Sequence, residues 1–574
     1  MSAGAALAAP ATLQRRGTGA GEALVARGGV ILLAVALFVF LTVPLATILL
    51  RAVQARDGHF VGLLNFVQVL DSPSLPRALA DTLRFALGTT AITVPAAFAF
   101  AFAIQRACLP WRNLWRAIAM VPILAPSLLA AIAFLYLFGN QGIFKAALGW
   151  VGIGSIYGMP GMILSMSFAA FPHALMILLA ALALSDARLY EAADAMATSQ
   201  WRKFTTITLP GAKYVLVSAA MVVFTMAVSE FGVPKIIGGN TNVLAIEIYK
   251  QVVGQQNFSL GAVVSILLLL PALVAFAIDR AVQGRQRTQH GARAVLYRPQ
   301  PAALRDGLLL LYVVAVCAAL LLVVGMAAYG SLVTFWPYNQ ALTLRHYTYG
   351  IEEAGIDNAY RNSVVMAAWC AVLGTLMTFG GAYWLEKTRG ADRLRPWIQL
   401  QAMIPMAVPG MVLGIGYVMF INNPANPLNW LYGTLTVLVI STVVHFYSSG
   451  HLTALTALKS LDGEFEAVSA SLKVPFYVTF WRVTVPVCLP AVIDIARYYF
   501  VNAMTTISCV VFLYSPKSQV AAVSILQLDE AGALGSAAAM ATLIVLTSAA
   551  VSALFFAVEA FLVRRTQGWR NPSR

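Results

Sequence analysis

Between Tyr190 and Pro210 the chain reads YEAADAMATSQWRKFTTITLP. Glu191, Asp194, Arg202 and Lys203 crowd into this segment, which has no spanning apolar run although the chain as a whole is 60% hydrophobic. Leu189, Ala192, Ala193 and Met196 recur at i, i+3, i+4, i+7, so residues 187–197 should form one short helix. Thr198-Ser199 breaks that pattern. Ser199 can N-cap a second short helix over Gln200–Thr208, which stops at Leu209-Pro210. An alanine-built face lets another backbone approach closely, and Glu191 and Arg202 beside it can form charge-assisted hydrogen bonds. The chemistry on offer is recognition of a partner. A helix lying on lipid headgroups is the competing reading.

Bond-making chemistry finds no comparable constellation. His173, His445 and His451 are scattered, and the five cysteines (Cys108, Cys317, Cys370, Cys488, Cys509) lie in or beside apolar runs without metal or redox spacing. No metal site is expected. No Gly-Lys dipeptide occurs, so there is no Gly-x-x-x-x-Gly-Lys phosphate loop, and any ATP that drives this chain is hydrolysed elsewhere. Charges within spans are costly and mark pathways or structural pairs. Glu230, in SEFGVP, is a possible pathway group, as are Asn140, Asn423 and Asn502. Asp494 and Arg497, one helical turn apart, are expected to pair with each other.

The elements that position these residues are membrane helices. Mean hydropathy is +0.78 over 574 residues, with 11% charged, outside the range of soluble domains. Apolar runs long enough to cross a bilayer fall at about 29–51, 80–105, 116–139, 160–184, 213–233 and 260–280. A second set falls at 306–332, 361–385, 397–421, 431–457, 487–514 and 536–562. The expected architecture is all-α and polytopic, with about 12 transmembrane helices. Arg and Lys concentrate in alternate loops and both tails, which places both termini in the cytoplasm. The net charge of +15 therefore reflects membrane topology, not nucleic-acid binding. The expected domains are a disordered tail (1–28), a first half (29–280), a basic cytoplasmic linker (281–304), a second half (305–564) and a short tail (565–574).

The two sets repeat one another. Met120–Asn140 lies over Met403–Asn423 without a gap, sharing Met-x-Pro-x-x-x-Pro and the final Asn. Asp186–Pro210 lies over Asp462–Pro486, again without a gap, matching Phe204 with Phe480, Thr208 with Thr484 and Pro210 with Pro486. Each half has six spans, so the halves are parallel repeats about an axis along the membrane normal, an arrangement that places a solute path at their interface.

The first loop resembles the cytoplasmic loop of ABC-importer permeases, whose pattern is Glu-Ala-Ala, three residues, Gly, nine residues, Ile-x-Leu-Pro. Glu191-Ala192-Ala193, Ala197 in place of the glycine, and Ile207-Thr208-Leu209-Pro210 stand at that spacing. The second copy has drifted. Glu466 stands one position early, Ala467 lies opposite Glu191, Lys473 takes the glycine position, Pro475 lies opposite Ser199, and Pro486 closes the motif. The resemblance covers nearly the whole chain, and the fused form is similar to permeases for ferric iron and for 2-aminoethylphosphonate. FPHALMILLAALALSDARLYEAA and HFYSSGHLTALTALKSLDGEFEAVSASLKVPF most resemble the latter group. It implies a multi-pass protein of the bacterial inner membrane, docked to two cytoplasmic ATPase subunits and served by a periplasmic substrate-binding protein. ATP and Mg would be used by those partners, with no cofactor on this chain. An ion-coupled secondary transporter is the rival class, for which Asp494 would be the one mid-span carboxylate.

Overall fold

The computed structural model describes residues 20–150, 152–183, 186–286, 297, 299–348, 357–388 and 392–566. The expected tails before residue 20 and after 566, and linker residues 287–296 and 298, lie outside the described residues. The first helix already begins at Ala20, within the expected tail, and the sixth runs on to Gln286.

Among the described residues, eight helices are long and apolar enough to cross a membrane, and four bent pairs, each counted as one span, bring the total to twelve. Three of the four bends have a proline at or beside the break; the 54° bend at Phe446 in the tenth span has none. In the third span, Arg112–Leu124 and Ser127–Phe138 meet at 100°; in the ninth, Arg395–Met406 and Gly410–Ile421 meet at 113°. Ala125 and Pro126 are extended at the first elbow and Pro409 at the second, as expected where proline removes an N–H and excludes helix from the residue before it. The repeated Met-x-Pro-x-x-x-Pro motif therefore builds an elbow in each half, where the apolar run alone suggested a straight crossing. The eleventh span breaks by 79° before Leu489-Pro490, whereas its counterpart Gln200–Ser229 is continuous.

Each half lends its first span to the other. Val43–Ala52 packs between the sixth span and the ninth, and Ala303–Leu332 packs between the twelfth and the third. The first crossing is tight: a β-carbon on Gly416 would lie 2.8 Å from the Pro44 carbonyl oxygen. A π-helical turn at Phe38–Thr42 leaves the Phe40 carbonyl free to accept a 2.5 Å hydrogen bond from the Tyr417 hydroxyl. At the other crossing, a β-carbon on Gly330 would strike the ring of Tyr136. With hydrocarbon outside, contact of this kind holds membrane helices together.

Candidate functional site

The polar loop folds as a helix, a tight turn and a second helix. Asp186 caps Ala187–Ala195, its carboxylate accepting from the Arg188 N–H at 3.1 Å. The helix ends with a bond from Thr198 N–H to the Ala193 carbonyl at 2.9 Å, which closes over Ala197 in the left-handed region at φ 50°. That is the Schellman turn, in which glycine is favoured because a β-carbon is strained there. Ser199 caps the next helix, accepting from the Arg202 N–H at 3.3 Å. Lys203, almost fully buried, pairs with Asp194 across the turn.

The second loop repeats the Asp cap and the left-handed turn, while Pro475, opposite Ser199, makes no side-chain cap. Asp462 accepts from the Glu464 N–H at 3.2 Å, Val474 N–H closes onto the Ser469 carbonyl at 2.9 Å, and Lys473 stands at φ 57°. Both loops then pass through a π-helical turn, Phe204–Thr208 and Phe480–Thr484. In the first half the chain continues without a stop into Leu209–Ser229, so Leu209-Pro210 opens the fifth span and does not end a separate helix. Pro210 has no N–H to donate back to the preceding turn, and the wider π turn absorbs the mismatch.

The side chains sort into two faces. Ala187, Tyr190 and Ala193 are buried against the protein, while Leu189, Glu191, Ala192 and Met196 point outward. Ala193 therefore belongs to the seat of the helix, opposite the expected outer face. Met196 and Trp201 are 72% and 74% exposed. Their counterparts in the second loop are Leu472 at 69% and Tyr477 at 49%, joined by Phe465 opposite Leu189 and Val468 opposite Ala192. The two loops thus carry matched patches of large exposed apolar groups set among charges. The repeat of polarity was legible in the sequence. The repeat of outward apolar residues was there too, in the pairs Leu189/Phe465, Met196/Leu472 and Trp201/Tyr477 of the gapless overlay.

Glu466 is not the equivalent of Glu191. It stands opposite Tyr190, and its carboxylate turns inward to pair with Lys387, the last residue of the eighth span, at 2.5 Å. Ala467 is exposed where the first loop shows Glu191. At this position the first loop presents a carboxylate and the second an alanine, the second helix showing its exposed carboxylate at Glu464 instead. Arg202, Leu209 and Pro210 are exposed, as is Lys473; Pro475 and Pro486 are half-buried.

Each candidate pathway residue takes part in a local hydrogen bond. Glu230 ties the end of the fifth span to the third, accepting from the Ser127 hydroxyl at 2.7 Å, and it caps the short helix Gly232–Ile237 through the Val233 N–H at 3.1 Å. Asn502 donates to the Tyr498 carbonyl within its own helix at 2.8 Å. Asn423 accepts from the Ala425 N–H at 3.0 Å, and the Asn140 carbonyl accepts from Lys145 at 3.2 Å. Asp494 and Arg497 pair at 2.7 Å, as their spacing suggested. Among the described residues, no group of three or more His, Cys, Asp or Glu side chains could hold a metal ion. A contact that the sequence did not reveal joins the halves beyond the far end of the fifth span. Lys235 meets Glu530 at 2.8 Å and lies 5.1 Å from the ring centre of Tyr249, which packs on Phe512 of the second half.

The described residues form a duplicated helical scaffold with a matched helix–turn–helix loop in each half. The chain belongs to the family of binding-protein-dependent transport system inner membrane components, whose pattern it matches twice, over residues 94–288 and 379–568. It is 26% identical to the ferric transport system permease protein FbpB of Actinobacillus pleuropneumoniae over 540 residues, covering 92% of this chain and 77% of the relative. It is 25% identical to the putative 2-aminoethylphosphonate transport system permease protein PhnU of Salmonella typhi over 249 residues, covering 42% of this chain and 86% of the relative. Among solved structures, a chain of a bacterial alginate ABC transporter aligns with 46% of this chain and 94% of its own length, at a TM-score of 0.37 and 18% identity.

Proposed function

We propose that this chain forms the translocation path of an ATP-driven importer for a small solute, with one cytoplasmic ATPase subunit docked on each helix–turn–helix loop. The matched apolar patches around Met196 and Leu472, on loops of matched turn geometry, are the observation that carries the reading. The family match supports it, because such a permease works with a binding protein that delivers the solute. Closure of the ATPase pair would draw the two loops together and rock the halves between outward and inward access.

For the cargo, 2-aminoethylphosphonate is the first reading, supported by the stretches around Phe171–Ala193 and His445–Phe476. Ferric iron is the second, favoured by the FbpB relative, which aligns along 92% of the chain. Proteoliposomes holding this chain, its ATPase and its binding protein should accumulate labelled 2-aminoethylphosphonate when supplied with ATP. Uptake of labelled ferric iron alone would select the second reading. Uptake driven by an ion gradient with no ATPase present would overturn both.

A further inference from the structure

Arg106, the last residue of the second span, is 4% exposed and forms no ion pair among the described residues. Its Nε has no hydrogen-bond partner. Its charge is met by two aromatic rings, with the Tyr190 centroid at 4.6 Å and the Tyr297 centroid at 4.3 Å, and by the Tyr190 hydroxyl at 3.3 Å. The two rings approach each other at 4.8 Å. Tyr190 lies on the buried face of the first docking helix, and its hydroxyl continues to Thr208 at 2.9 Å. Tyr297 comes from the connection between the halves. Two residues on, the Pro299 carbonyl accepts from the Cys108 thiol at 3.4 Å. The connection is therefore fastened beneath the first docking loop.

The second half meets the same demand differently. Lys387 ends the eighth span as Arg106 ends the second, and Glu466 stands where Tyr190 does. There a carboxylate neutralises the buried cation within one half. In the first half that carboxylate is missing, and a ring from the connection takes its place. A buried cation held between aromatic faces interacts strongly with them because water does not compete.

We propose that the connection between the halves is a working part of the first docking site, with Tyr297 as a positioning residue that holds Arg106 against Tyr190 and so fixes the docking helix. This rests on the docking reading but is tested apart from it. Amide exchange over Ala187–Ala195 in the purified full-length permease, without ATPase, reads the position of the helix directly. Tyr297→Leu should speed that exchange about threefold to tenfold, the range expected from losing one desolvated cation–π contact. Tyr297→Phe, which keeps the ring, should leave it unchanged. In an Arg106→Met background, Tyr297→Leu should add nothing, because the partner is already gone. In proteoliposomes with ATPase and binding protein, Tyr297→Leu should lower solute taken up per ATP hydrolysed, and Tyr297→Phe should restore it. Unchanged exchange in Tyr297→Leu, or equal effects of Phe and Leu, would overturn the proposal. Faster exchange with unaltered uptake per ATP would overturn its role in coupling. If Met196→Arg leaves uptake intact, the docking reading itself fails, whatever Tyr297 does.

Discussion

At Ala197 and Lys473 the backbone turns into the left-handed region, where a β-carbon costs about 1 kcal/mol. The permease pattern has glycine at this place, and the geometry supplies the reason for the glycine. Ala197→Gly and Lys473→Gly should each stabilise the local turn by about 0.5–1 kcal/mol. Slower amide exchange at Thr198 and Val474, whose N–H groups close the two turns, would show it; faster exchange would count against strain at these residues. The drift of the second motif has a residue-level cause as well. Glu466 left the outward position and became the partner of Lys387. Its value lies in neutralising a buried cation, so Glu466→Gln should weaken the second loop more than Glu191→Gln weakens the first. Comparative exchange over 187–195 and 464–471 would test this ordering.

The two helix–turn–helix loops share one turn geometry and one pattern of outward apolar groups, but differ in charge and in how they are seated. Met196→Arg and Leu472→Arg place a charge at the centre of each exposed patch without touching the seat. Both should sharply reduce ATP-driven uptake while the protein still reaches the membrane, as measured by uptake in inverted-vesicle or proteoliposome assays alongside membrane abundance. Equal uptake in wild type and both variants would remove the patches from the mechanism. Ala193→Arg is a different experiment. Ala193 is buried, and an arginine there would lift the helix from its seat, so loss of uptake would report folding of the loop and not contact with an ATPase. The distinction was invisible to helical periodicity, which groups Ala193 with Ala192 but cannot say which edge of that stripe faces the protein.

Across the whole molecule, the halves touch at opposite ends of the helices through different chemistry. The exchanged first spans bind them along their length, Tyr297 of the connection near the helix–turn–helix loops, and the Lys235–Glu530 pair beyond the fifth span. The proposed rocking of the halves would stretch or break that pair. Lys235→Cys with Glu530→Cys should cross-link readily in the resting protein, and the linked form should hydrolyse ATP without transport. Transport by the cross-linked protein would show that this contact does not move. Beside the pair, burial and the Glu530 carboxylate push Asp529 up to about 6 from 3.8, with Lys235 acting in the other direction. A carboxyl raised by folding binds its proton more tightly when folded. Its contribution is complete below its unfolded value, near pH 4, and is lost as pH rises through about 6. Asp529→Asn should therefore raise the melting temperature at about pH 7.5 and change it little at about pH 4; equal shifts at both would exclude titration of Asp529 as the cause.

Twelve apolar runs, the two-fold repeat and the polar loop between the fourth and fifth spans of each half were determined by the sequence alone. Run length and loop polarity are local properties, fixed by what can reside in hydrocarbon. The proline motifs were local as well, although the sharpness of the elbows they cause emerged only with the packed helices. Tertiary structure decided what depends on partners distant in the chain. Tyr297 reaches Arg106, Lys235 reaches Glu530, and, because the first span crosses to the other half, the Phe40 carbonyl reaches Tyr417. No periodicity encodes such contacts, since they arise from how two repeats fold around each other and not from the order of residues within either.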